Sequence, residues 1–200
     1  MQKSAYEIYN YLDELDLLKK SPEFWWPNTG TFEVVVGAIL TQNTTWKNVE
    51  KSLENLKGFL ELESFVSLRE DALKVRIKPS GFQNQKAPRL LQLARNIKEE
   101  FITFEHFQKN VTRKWLLSQK GIGEESADAI LCYGCMREEM VVDSYTKRLL
   151  KEFDIEFKKY AEYKTFLESS LREHCKEDEL FRVFAEFHGM IVEYNKQKDK

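Results

Sequence analysis

The chain lacks what would commit it to a membrane, a secretory route or a metal site. No run of eighteen or more apolar residues occurs, so no segment is long enough to span a bilayer as a helix. Met1-Gln2-Lys3-Ser4-Ala5-Tyr6 carries no apolar stretch leading to a small-residue cleavage site, so no secretory signal is expected there. Three cysteines cannot all pair within the chain, which fits a reducing compartment and makes a cytoplasmic location the expectation. Cys132 and Cys135 stand close together, but only the distant Cys175 and the scattered His106, His174 and His188 are left to join them. A structural zinc site typically takes four ligands, so neither a metal nor a cofactor is expected. An excess of one charge is also missing: 31 basic and 33 acidic residues leave a formal net charge of −2. That argues against a general polyanion binder, whereas a local cluster of Lys and Arg on one face remains open. Candidates for such a cluster are Lys78, Lys86 and Arg89, then Lys120, then Lys147, Arg148 and Lys151.

What is present is the composition of a globular protein, 42% hydrophobic and 13% aromatic. Two hundred residues suffice for one compact unit or two small subdomains, burying roughly 70% of the unfolded surface. Runs of β-branched residues are few, and apolar residues recur at helical spacing, as in Ala5-Ile8-Tyr9-Leu12-Leu15 and Phe32-Val35-Val36-Ile39-Leu40. Further helices are predicted over Val49 to Leu56, Leu90 to Ile97 with Pro88 near the first turn, Val111 to Leu117, Ser126 to Cys135, Ser144 to Phe153, Tyr160 to Leu171 and Leu180 to Val192. About ten helices and no convincing strand make the chain all-α.

Two short stretches carry chemistry. Gly121-Ile122-Gly123-Glu124 reads as a tight turn opening into a helix, with both glycines able to take φ > 0. Backbone N–H groups converging in such a turn form a concavity suited to a phosphate oxygen, helped by the positive end of the helix. In Val141-Val142-Asp143-Ser144-Tyr145, one carboxylate follows an apolar pair and precedes a new helix, where it also suits an N-cap. Two polar loops complete the set: Leu40-Thr41-Gln42-Asn43-Thr44-Thr45-Trp46 and Pro79-Ser80-Gly81-Phe82-Gln83-Asn84-Gln85-Lys86-Ala87. In this order, over residues 25 to 150, these segments resemble the helix-hairpin-helix DNA glycosylases of the endonuclease III type. The subgroup that removes 3-methyladenine is the most similar.

The resemblance implies an all-α fold of two helical subdomains, a barrel over residues 28–137 and a second lobe from 1–27 with 138–200, with a cleft between them. It implies that Asp143 is the catalytic aspartate at that cleft. An ionised carboxylate there would stabilise the oxocarbenium character of the sugar and orient the attacking water. The resemblance further implies that Gln42 fills the space left by the flipped-out base, that Phe82 wedges the opposite strand, and that Gly121 and Gly123, flanked by Lys120 and followed by Lys147, hold the backbone of double-stranded DNA. Phe24-Trp25-Trp26-Pro27 and Trp46, read from the residues alone, are as suited to a core as to a pocket; the resemblance places Trp25, Trp26, Pro27, Trp46 and Glu125 around the alkylated base. Relatives that also nick DNA carry a lysine two residues after the second hairpin glycine, which forms a Schiff base with the sugar. Here that residue is Glu125, which cannot form an imine, so hydrolysis without strand scission is expected. Many relatives hold an iron–sulfur cluster on four cysteines near the C-terminus; the segment after His188-Gly189 has none, so no cluster is expected. The rival readings are an oxidised-pyrimidine glycosylase with lyase activity and a non-catalytic DNA-binding module.

Overall fold

The structure is a computed structural model describing residues 3–199; of the segments expected in the second lobe, Met1, Gln2 and Lys200 lie outside it. Among the described residues there are twelve α-helices and no strand. The chain divides into two compact units, Gly30–Ile130 and the pair Met1–Thr29 with Leu131–Lys200. The divisions fall at 29/30 and 130/131, where the sequence reading drew them at 27/28 and 137/138. The second lies within a π-helical turn, Ile130–Gly134.

The Gly30–Ile130 unit is organised on α2 (Phe32–Leu40). Every residue of α2 except Glu33 is buried, as a helix apolar on all sides must be. Helices α3 (Trp46–Asn55), α6 (Gln83–Phe101) and α9 (Glu124–Ala129) pack on it, while α4 (Leu62–Val66), α5 (Glu70–Arg76) and α7 (Phe104–Asn110) pack on α6, and α8 (Arg113–Ser118) packs on α9. Phe32 lies edge-on to Phe65 and Phe104, with ring centroids 5.4 and 5.8 Å away, contacts worth about 0.5–1.5 kcal/mol each beyond their burial. Helix α6 departs from expectation: it starts at Gln83, so Pro88 lies inside it rather than near its first turn. Its buried stripe already begins at Lys86 and Ala87, and packing outweighs the hydrogen bond that proline cannot donate. The short helices α4, α5 and α7 escaped the sequence reading because one to two turns are too few to display a period.

The other unit joins α1 (Ala5–Asp13) to α10 (Ser144–Glu152), α11 (Tyr160–His174) and α12 (Leu180–Lys198). A capping box between Ser4 and Glu7 starts α1, and Ala5, Ile8 and Leu12 then face the core on one stripe. They pack with Leu149 and Leu150 of α10, Leu167 and Leu171 of α11, and Phe184, Phe187 and Ile191 of α12.

Candidate active site

Asp143 is the N-cap of α10. Its Oδ1 accepts from the Thr146 backbone N–H at 2.7 Å and from the Thr146 hydroxyl at 2.9 Å, while its own N–H donates to Thr146 Oγ1. Such a cap contributes about 0.5–2 kcal/mol to folding. One carboxylate oxygen is thereby committed, and the other, Oδ2, lies 3.5 Å from Nε2 of His188 on α12. The Asp143 side chain is 14% exposed. Burial alone would push its carboxyl up; His188 and the two Thr146 donors outweigh that and hold it below its ordinary value. The group is therefore a fixed, largely desolvated anion at neutral pH.

His188 is itself buried, and its Nε2 has no well-formed hydrogen bond. Its Nδ1 lies 2.8 Å from the Tyr133 phenol, which also lies 2.9 Å from the Ala185 carbonyl. The phenol has one proton. Donated to Ala185, it leaves the phenol oxygen to accept from Nδ1–H, and any second imidazole proton then sits on Nε2, opposite Asp143. Burial, then the charges of Cys132 and Asp143, push the Tyr133 hydroxyl well above its usual range, so it stays a neutral partner.

Trp25 and Trp26 close this network. The Trp25 ring meets His188 edge-on at 5.2 Å, its indole N–H donates to Glu193 at 3.1 Å, and Lys196 lies 5.7 Å over its face. Trp26 lies 5.1 Å from Tyr133 and is 8% exposed, so it belongs mainly to the core, whereas Trp25 and Pro27 are half-buried. Gly189 makes room for Trp25: a Cβ on it would stand 2.4 Å from the Trp25 Cγ. Phe24 and Trp25 both take left-handed backbone (φ 58° and 66°), a conformation costing about 1 kcal/mol per non-glycine residue. Strain of this kind persists only where surrounding contacts over-determine it.

In the Gly30–Ile130 unit, α8 and α9 form the hairpin. Gly121 has φ +87°, and a Cβ on it would stand 2.6 Å from the Arg89 side chain. Gly123 corrects the sequence reading: its φ is −97°, an extended N-cap that any residue could adopt, with open space around it. The hairpin is tied by Arg113, which donates to both oxygens of the fully buried Asp128 at 2.7 and 3.1 Å. Gln42 donates its amide to the Gly121 carbonyl and the Ser126 hydroxyl, both at 3.0 Å, so its loop is fastened to the hairpin. Phe82 is 56% exposed and left-handed (φ 50°) at the start of α6. Lys120, Gly123 and Glu125 are exposed and Trp46 is half-buried at the first position of α3. Lys147, in the other unit, is exposed and reaches over the Tyr163 ring at 5.7 Å.

Lys86 also departs from expectation. Read as a surface cation, it is 2% exposed, and its Nζ donates to the carbonyls of Leu40 at 2.8 Å and Ser80 at 2.9 Å. Burial lowers its ammonium to about 8. Cys132 and Cys135 are both buried, and burial pushes the Cys135 thiol up to about 12. Among the described residues, no group of three His, Cys, Asp or Glu side chains is placed to hold a metal ion. Nor is any helix long and apolar enough to cross a membrane.

Residues 36–173 match the HhH-GPD superfamily of base excision DNA repair proteins. The chain belongs to this superfamily. It is a DNA glycosylase, and its relatives agree. It is 46% identical to the H. pylori 3-methyladenine DNA glycosylase solved bound to 1,N6-ethenoadenine, over 98% of this chain and 99% of that one, with a TM-score of 0.93. A Methanocaldococcus jannaschii protein named as a candidate DNA repair glycosylase is 38% identical, over 98% of this chain and 91% of its own length. Endonuclease III in complex with DNA shares the fold at a TM-score of 0.70 and 17% identity, over 95% of this chain and 85% of that one.

Two residues of the network around Asp143 are not predicted from the sequence. His188 has no ligand-like spacing to the other histidines, and Tyr133 lies unmarked inside the helix predicted over Ser126 to Cys135. The signal available was the pair His188-Gly189: a polar ring beside a residue small enough to admit an indole.

Proposed function

We propose that this glycosylase hydrolyses the N-glycosidic bond of alkylated purines, chiefly 3-methyladenine, without cutting the DNA strand. The observation that carries the reading is the 46% identity, along nearly the whole of both chains, to a 3-methyladenine DNA glycosylase. In this proposal Asp143 is the catalytic residue. Its charge is fixed by Thr146 and faces His188, so it stabilises the developing oxocarbenium ion with little reorganisation, and Oδ2 orients or deprotonates the water. When doubly protonated, His188, with its Nδ1 side taken by Tyr133, presents an Nε2–H to that oxygen.

A purine methylated on a ring nitrogen is cationic and already a good leaving group, so the departing base needs little help. Recognition then rests on aromatic faces, each worth about 0.5–2 kcal/mol to a desolvated cation. Trp25 and Pro27 are the base contacts with accessible surface in their unit, and Trp26 supports them from the core. Trp46 is a further proposed base contact, and Glu125 is proposed to favour a cationic base while occupying the position of the lyase lysine. Flipping the base out of the stack costs about a few kcal/mol. Gln42 and Phe82 offset it by filling the vacated space, and the Gly121–Gly123 turn with Lys120 and Lys147 grips the backbone. The test is to incubate the protein with methylated duplex DNA and identify the released bases chromatographically. Release of 3-methyladenine with strands that break only after alkali supports the reading; release of oxidised pyrimidines with direct strand breaks overturns it.

A further inference from the structure

Lys86 is buried, yet among the described residues it forms no ion pair; its hydrogen bonds go to two backbone carbonyls. Those carbonyls are informative. Leu40 is the last residue of α2, directly before Thr41-Gln42-Asn43, and Ser80 is the last residue of the 3-10 turn Lys78–Ser80, directly before Gly81-Phe82. Each is an acceptor left without an intrahelical partner where an element ends, and at the end of α2 the helix dipole also favours a cation. The Lys86 Nζ lies 6.0 Å from the Phe82 ring centroid, within cation–π range. The Ser80 side of the junction is independently anchored, since the Ser80 N–H and hydroxyl both contact the buried Ser52 hydroxyl of α3, at 3.1 and 2.7 Å. The Gln42 side is anchored at its tip by the hairpin, through Gly121 and Ser126. Between these two anchored segments, one ammonium group is the direct link.

We infer that Lys86 is a positioning residue for base flipping: it clamps the roots of the Gln42 loop and the Phe82 loop so that the two side chains enter the duplex as one device. The inference rests on the gap-filling roles proposed above for Gln42 and Phe82. It assigns Lys86 no contact with DNA, and it separates gripping the backbone, which the hairpin performs, from opening the stack. Loss of the clamp therefore leaves affinity for undamaged duplex in place and lowers kcat rather than raising KM. A misplacement of about 1 Å is enough to cost on the order of 10²-fold in rate.

The experiment places 2-aminopurine beside a stable abasic analogue in a duplex and reads its fluorescence, which rises when the base is unstacked. Binding of the wild-type protein is expected to raise the signal, and Gln42→Ala and Phe82→Ala are each expected to reduce it. Lys86→Met, which keeps the length and removes the donors, is expected to reduce the signal and to cut single-turnover excision by about tenfold or more, within the range set by such a misplacement. Lys86→Arg, which keeps charge and donors, is expected to restore part of both. In a Gln42→Ala, Phe82→Ala background, Lys86→Met is expected to have no further effect on the signal, the non-additivity of residues acting as a unit. Should Lys86→Met not fold, Lys86→Gln, which keeps an amide donor, carries the same comparison. An equal proportional loss in both backgrounds, or no loss in either, overturns the inference while the gap-filling reading stands. If Gln42→Ala and Phe82→Ala themselves leave the fluorescence unchanged, that reading fails first and the clamp has no target.

Discussion

Replacing Asp143 by Asn separates the capping duty of the carboxylate from its proposed catalytic one. As a cap, it needs only Oδ1, which takes both Thr146 hydrogen bonds; an amide oxygen accepts them equally, and Asn ranks with Asp at this position. As a catalyst, it needs the negative charge on Oδ2, which the amide lacks. The amide nitrogen would instead face His188 Nε2, which in the Nδ1-protonated tautomer is an acceptor. Folding therefore survives. Losing a charge-stabilising or general-base group lowers the rate by about 10²–10⁴-fold, roughly 3–5 kcal/mol of barrier. Asp143→Ala adds the loss of the cap, about 0.5–2 kcal/mol, and a 1 kcal/mol loss lowers the melting temperature of a chain of this size by about 2–4 °C. The assay is single-turnover release of 3-methyladenine beside a thermal melt for each variant. Expected is a near-native melt for Asp143→Asn, a lower one for Asp143→Ala, and severe loss of turnover in both. Near-normal turnover in Asp143→Asn removes the residue from the mechanism; a collapsed melt in that same variant shows that the charge, and not the cap, holds α10.

Other consequences are open to direct measurement. Borohydride is expected to trap no protein–DNA adduct, because Glu125 occupies the lysine position; efficient trapping would assign lyase chemistry to another amine. Gly189→Ala places a methyl group against Trp25, so tryptophan fluorescence is expected to shift and excision to fall, although alanine is the better helix former by about 1 kcal/mol; unchanged fluorescence and turnover would refute the close approach. Folded Lys86 binds its proton less tightly than the unfolded chain does. Between about pH 8 and the ordinary lysine range the unfolded chain is protonated while the folded one is neutral, so this group makes stability rise with pH. Denaturant midpoints at pH 7.5 and 9.5 are accordingly expected to move in favour of wild type relative to Lys86→Met, and a wild-type midpoint that falls relative to the variant's as pH rises contradicts the assignment. Asp143 acts in the opposite window. Its folded value is depressed, so its contribution is complete above the ordinary carboxylate range and is lost as pH falls through the folded value, and wild-type stability is expected to fall relative to that of Asp143→Asn in acid.

Which parts of this molecule were legible beforehand follows from the range of the interaction that fixes each one. Asp143 was legible because a cap is settled within three residues: an acceptor side chain, an open turn, and Thr146 to return the bond. The Gly121 turn was legible for the same reason, since φ +87° can be met cheaply only by glycine. Gly123 misled because its neighbour's requirement was extended to it. Long amphipathic helices such as α12 declared themselves, whereas α4, α5 and α7 depend on what they pack against.

Lys86 and His188 were illegible for a stronger reason. A lysine in a polar loop and a lone histidine on a helix have their ordinary roles at the surface, and their local sequence agrees with those roles. What reverses the expectation is the convergence of distant partners: two helix C-termini onto one ammonium, and a phenol and a carboxylate onto one imidazole. Both arrangements bury a titratable group against backbone dipoles or a neighbouring charge, which costs stability unless each contact is placed well. Such residues are poor choices for holding a fold together, since apolar side chains of similar size would do that with less penalty. Their presence beside the proposed catalytic carboxylate and at the roots of the proposed wedges is therefore better explained by what they position than by what they stabilise. The Lys86→Met and Asp143→Asn variants test that proposition from its two sides.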